Sequence, residues 1–124
     1  DAELFTRGIS YNVSTSTMGT TTNAASFQFS VNSTLTEVNC STNAGIAEIQ
    51  LERINSAQPN ASSTFMLQSY LTCDMDTAST TSFHADLAGA MNVGSDLSLR
   101  IQRSLGTSSV PTLLKVHVKY TAND

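Results

Sequence analysis

The sequence is poor in charged residues and contains no tryptophan. Charged residues make up 13% of the 124 residues, about half of the roughly 25% that is typical of soluble domains. The six Lys and Arg are scattered and the formal net charge is −4, which argues against a nucleic-acid partner because nucleic acid requires a basic patch. No apolar run approaches the length of a transmembrane helix, and we therefore expect no membrane span.

Cysteine is also scarce. The chain has two cysteines, Cys40 and Cys73, and neither belongs to a C-x-x-C pair, so a zinc site would lack its ligand set. Two alternatives remain open for them. They form one disulfide in an oxidising compartment, which is our prediction, or they are two separate buried thiols. The predicted disulfide would close a loop of about 33 residues.

Serine and threonine take the place of the missing charges. The chain contains 18 Ser and 17 Thr, and a polar but uncharged surface suits an extracellular, secreted protein. Four asparagines begin an N-x-Ser/Thr sequon, Asn12, Asn32, Asn39 and Asn60. In a chain of this composition, sequons also arise by chance. Asn60 lies in a predicted turn and is our candidate for glycosylation.

Alternation of apolar and polar residues predicts an all-β fold. The first stretch places Phe5, Arg7, Ile9, Tyr11 and Val13 on one face, which is the two-residue period of a half-buried strand. The same period recurs in six further segments, residues 26–35, 46–54, 65–75, 83–93, 97–105 and 113–120. Strands with one apolar face need a second sheet to cover that face, so we predict an antiparallel β-sandwich.

The polar residues do not form a recognisable catalytic or metal site. His84 and His117 fall on polar strand faces and no G-x-S-x-G sequence is present. Glu48, Gln50 and Glu52 share an outward face, as on a solvated strand. We therefore predict that the protein is not an enzyme and has no metal or cofactor.

The order of the segments resembles that of donor-strand-assembled pilus subunits of the chaperone–usher type. One strand (residues 1–15) is followed by a Thr-rich tether (16–25) and by a body with six more strands (26–124). The resemblance implies an immunoglobulin-like sandwich of about six strands, completed by a donated N-terminal strand. Phe5, Ile9, Tyr11 and Val13 would then fill a groove in a neighbouring copy. It further implies an extracellular filament or pilus, with an assembly chaperone or outer-membrane machinery as further partners.

An alternative uses the same strands without assembly. The first strand would pair within its own chain, in cis, and complete a secreted sandwich that acts as a carbohydrate-binding or adhesin-like module. Its partner would be a host or surface glycan. Tyr70 is the clearest candidate for an exposed aromatic ring on such a surface.

Overall fold

A computed structural model describes residues 6–14, 21–55, 64–84, 88–105 and 111–122. These residues form strands and turns and contain no helix, which confirms the predicted all-β class. In chain order the strands are β1 (Thr6–Ser14), β2 (Thr21–Gln28), β3 (Ser33–Thr42), β4 (Ile46–Asn55), β5 (Thr64–Phe65), β6 (Leu71–Cys73), β7 (Ala78–Thr80), β8 (Ala90–Met91), β9 (Ser95–Leu105) and β10 (Leu113–Ala122).

The strands build two antiparallel sheets. Sheet A has the order β1-β10-β3-β7, and β8 also pairs with β3. Sheet B has the order β2-β9-β4-β5, and β6 also pairs with β4. In each sheet two short strands therefore pair with the same long strand, β7 and β8 with β3 in sheet A and β5 and β6 with β4 in sheet B. Within the described ranges, no helix has the length and apolar character needed to cross a membrane.

One hydrophobic core contains residues from both sheets, a sandwich-like arrangement. The longest strands supply it with residues from alternate positions. The buried side chains include Val38, Ile49, Leu51, Leu97, Leu99, Ile101, Leu114, Val116 and Val118. The predicted disulfide is present and joins Cys40 in β3 of sheet A to Cys73 in β6 of sheet B. The disulfide therefore links the two sheets inside the core.

The predicted second strand is wrong in its boundaries. Residues 26–35 contain the end of β2, a bend and the beginning of β3. The strand that follows was missed because β3 contains a bulge, where Lys119 pairs with Glu37 but Tyr120 pairs with Leu35. The extra residue shifts the side-chain alternation by one position. Leu35 and Val38 therefore both face the core although they are three residues apart.

The predicted fourth strand is interrupted. Its two ends are β5 and β6, which pair with different parts of β4, and residues 66–70 separate them. Gln50 of β4 bridges the gap, since its Oε1 accepts a hydrogen bond from the Leu67 N–H at 2.8 Å and its Nε2 donates to the Leu67 carbonyl at 3.3 Å. A side-chain amide thus takes the place of a backbone pair at the break.

The outer face of β4 is buried at Gln50 and Glu52, contrary to the expectation from its polar sequence, and Glu48 is partly buried. Gln50 is 2% exposed and Glu52 is 3% exposed. The Glu52 carboxylate accepts a hydrogen bond from Arg100 Nη1 at 3.3 Å, and the Arg100 guanidinium lies 5.7 Å from the centre of the Phe65 ring. β5 and the residues that follow it cover this face of β4. The alternation pattern predicts these residues as part of one straight strand.

The Thr-rich stretch is shorter as a connection than the sequence suggested. Residues 21–25 of the predicted tether belong to β2, which pairs with β9 in sheet B. Residues 15–20 lie outside the described residues. The connection thus runs from an edge strand of sheet A to an edge strand of sheet B.

Candidate functional site

The N-terminal strand lies at one edge of sheet A. It pairs antiparallel with β10 along its whole length, from Thr6 opposite Thr121 to Ser14 opposite Leu113. Among the described residues, β10 is its one sheet partner. In this single chain, the strand expected to be donated to a neighbour therefore pairs in cis.

The predicted donor-strand residues face the core of their own chain. Ile9 is 7% exposed, Tyr11 is 4% exposed, and Val13 is partly buried against the same core. Phe5 lies outside the described residues. Arg7 shares the inward face by alternation but is exposed near the strand's beginning. The apolar stripe of the sequence is thus a buried stripe in the fold.

Tyr11 reaches across the core to the opposite sheet. Its hydroxyl donates a hydrogen bond to the Leu97 carbonyl of β9 at 2.7 Å. Burial raises the pKa of the Tyr11 phenol well above its ordinary value of 10.0, and the negative charge of Asp96 raises this pKa further. The neutral phenol therefore links β1 to sheet B.

The raised pKa predicts a loss of stability at alkaline pH. A phenol whose pKa is higher in the folded than in the unfolded chain contributes stability that is complete below the unfolded value of 10.0 and is lost as the pH rises above it. We expect the melting temperature to fall more steeply above pH 10 for the native sequence than for Tyr11→Phe. Thermal melts monitored by circular dichroism across this range would measure the difference. Equal slopes for the two proteins would contradict the assignment.

The outer face of β1 carries a second contact, which the sequence did not indicate. His117 of β10 lies opposite Ser10, and its Nδ1 is 3.1 Å from the Ser10 Oγ. The imidazole also covers Gly8, because a Cβ added at Gly8 would lie 2.5 Å from His117 Cε1. No local sequence signal could reveal this contact, since it depends on the register of two strands at opposite ends of the chain.

Residues of β1, β10 and β3 form one row across sheet A. The row contains Tyr11 of the predicted donor strand and Cys40 of the predicted disulfide. Tyr11 is opposite Val116, and Val116 is opposite Cys40 on its other side. The strand and the disulfide therefore link sheet A to sheet B on either side of β10.

The remaining predicted positions are Tyr70 and Asn60. Tyr70 is 42% exposed, as expected for a surface aromatic ring. Asn60 lies outside the described residues. The described part of the chain contains no group of three or more His, Cys, Asp or Glu side chains that could hold a metal ion.

Comparison with known proteins identifies no relative. No protein-family model, no curated protein and no solved structure matches the chain. The candidate site therefore rests on the geometry of β1 and its neighbours.

Proposed function

We propose that the protein is a structural subunit of an extracellular filament, in which β1 of one copy occupies the place beside β10 of the next. The observation that carries the proposal is the position of β1. It is an edge strand that, within the described part of the chain, pairs with one other strand and buries Ile9 and Tyr11. A second copy of the same strand could make all of these contacts in trans, because main-chain pairing and alternating side chains are the means by which strands are added to sheets.

The attachment of β1 to the rest of the chain supports exchange. The disulfide staples β3 to β6 and does not involve β1. Backbone pairing, apolar packing and the Tyr11 hydrogen bond hold β1 in place. Because β1 is at the sheet edge, it can leave without passing through another strand. Its departure would expose the apolar groove beside β10 and unpaired backbone groups, which favours recapture of a strand.

The direction of exchange determines the product. If each copy donates its strand to the next, the contact is heterologous, and contacts of this kind generate a filament when the rotation does not close. We include in this proposal that the strands of the body, residues 26–124, have an immunoglobulin-like arrangement. The proposal also includes an assembly chaperone or outer-membrane machinery, which would cover the groove before assembly. The disulfide fits an oxidising compartment.

A self-complete secreted module is the second candidate. The cis pairing of β1 favours it, because the sandwich needs no other chain to fill the place beside β10. In that case the protein would act as a monomer on a carbohydrate or another surface ligand, and the exposed Tyr70 would be available for contact with a sugar ring.

Peptide capture by the full-length protein separates the two candidates. A dye-labelled peptide of residues 5–14 is incubated with the protein, and bound label is measured by size-exclusion chromatography. Strand exchange predicts near-stoichiometric capture at peptide excess, together with filaments in electron micrographs of concentrated protein. The control peptide has the same composition with its apolar residues moved to the even positions. A monomer that captures neither peptide at any concentration would contradict the filament proposal.

A further inference from the structure

We infer that the contact between Gly8 and His117 selects which strand, in which register, can occupy the place beside β10. If the contact selects a strand from another copy, that selection rests on the proposed exchange. The effect of the contact within one chain does not rest on it. The selected strand has no side chain at the position opposite Lys119 and carries a hydroxyl two residues later.

Space, not backbone conformation, explains the glycine at position 8. Among the described residues, the glycines with positive φ are Gly45, Gly89 and Gly94, so Gly8 has a backbone that other residues adopt. A glycine inside a strand is unfavourable relative to alanine because it loses more conformational freedom on folding. Its presence inside β1, as the third residue of the strand, therefore calls for a compensating contact.

The imidazole of His117 provides that contact. A Cβ at residue 8 would lie 2.5 Å from His117 Cε1 and 2.7 Å from Nε2, and side chains do not approach so closely. The hydrogen bond between Ser10 Oγ and His117 Nδ1 holds the ring over the glycine. Covering a strand glycine with a cross-strand ring also restores packing that the glycine lacks.

The same contact fixes the register of β1. A slip by two residues keeps the apolar face inward, so apolar packing alone penalises it weakly. It would, however, bring Thr6 or Ser10 to the place of Gly8 and push a side chain into the imidazole. One of the two slips would also place Arg7 opposite Val118, in the buried position of Ile9. The native register is the one in which the glycine meets His117.

Substitutions at Gly8 in two backgrounds, the native protein and His117→Ala, test the contact within one chain. We expect Gly8→Ala to lower the melting temperature of the native protein by roughly 2–5 °C, because the ring must move and lose its hydrogen bond. In the His117→Ala background, the same substitution should raise the melting temperature, since only the gain in strand propensity remains. Asn12→Ala, on the same exposed face, is the control and should have equal effects in both backgrounds. A Gly8→Ala effect of the same sign and size in both backgrounds would overturn the inference.

Labelled peptides test the contact between copies. The full-length protein is offered the peptide of residues 5–14 and its Gly8→Val variant. We expect the variant to be captured at least about tenfold less well by the native protein, and nearly equally by His117→Ala. Equal capture of both peptides by the native protein would overturn selection in trans. If neither peptide is captured while the Gly8→Ala effect changes sign, the contact acts in cis, and it is the proposed exchange that fails.

Discussion

Replacing Tyr11 by alanine is expected to lower the free energy of unfolding by about 3–5 kcal/mol, the range for truncating a large aromatic side chain in a core. Tyr11 is 4% exposed, and its ring crosses the space between the sheets to place its hydroxyl 2.7 Å from the Leu97 carbonyl. The substitution removes the ring, opens a cavity beside β10 and leaves a buried carbonyl without this donor. Urea unfolding monitored by far-ultraviolet circular dichroism would measure the loss.

Two further tyrosine variants separate the contributions. Tyr11→Phe keeps the ring and removes the hydroxyl, so we expect a loss of about 0.5–1.5 kcal/mol from the lost hydrogen bond to the Leu97 carbonyl. Tyr70→Ala removes an exposed ring and should change stability by less than about 0.5 kcal/mol. If Tyr11→Ala cost no more than Tyr70→Ala, β1 would not occupy the place described here in solution.

The strands that the sequence predicted well are the long ones with an unbroken two-residue period. β1, β4, β9 and β10 are 8 or more residues long in the structure, and each lies within a few residues of a predicted segment. The alternation is visible because one face of each strand lies on the core. β7 and β8 contain three and two residues, and a stretch so short contains too few positions to show a period.

Local breaks in pairing account for the errors elsewhere. The bulge in β3 near Leu35 moves the following apolar residues to the opposite parity. The side chain of Gln50 replaces a backbone pair where β5 and β6 separate. Both features arise from contacts between distant strands. A prediction made from one segment at a time cannot detect them.

The candidate site was predictable to the same extent. The alternation in β1 correctly identified Ile9 and Tyr11 as residues that need burial, because an apolar stripe on a strand is stable only when covered. It could not identify what covers them, since the covering strand β10 lies more than a hundred residues away in the same chain and would be identical in a second copy. The His117–Gly8 contact is likewise a property of the pairing register.

If β1 exchanges as proposed, the disulfide would hold the body together while the Tyr11 contact breaks and forms again. Both link sheet A to sheet B, and Val116 of β10 separates them in one row. The covalent link lies on the side of β10 that faces β3, within the body. The side that faces β1 is closed by a hydrogen bond and packing, which can form again with another strand. We therefore expect loss of the disulfide to weaken the whole domain.

Removal of the disulfide by Cys40→Ala and Cys73→Ala together is expected to lower the free energy of unfolding by about 3–4 kcal/mol. The cross-link closes a loop with a sequence separation of 33, and its loss releases the corresponding entropy in the unfolded chain. The denaturant m-value should rise because the unfolded chain expands further. The native protein under reducing agent is the matched comparison. Since Cys40 and Cys73 are 2% and 0% exposed, it should keep its stability until unfolding exposes the sulfurs. An unchanged unfolding midpoint in the double variant would show that the hydrophobic core alone holds the body together. The disulfide would then not be needed to keep the body folded during the proposed exchange.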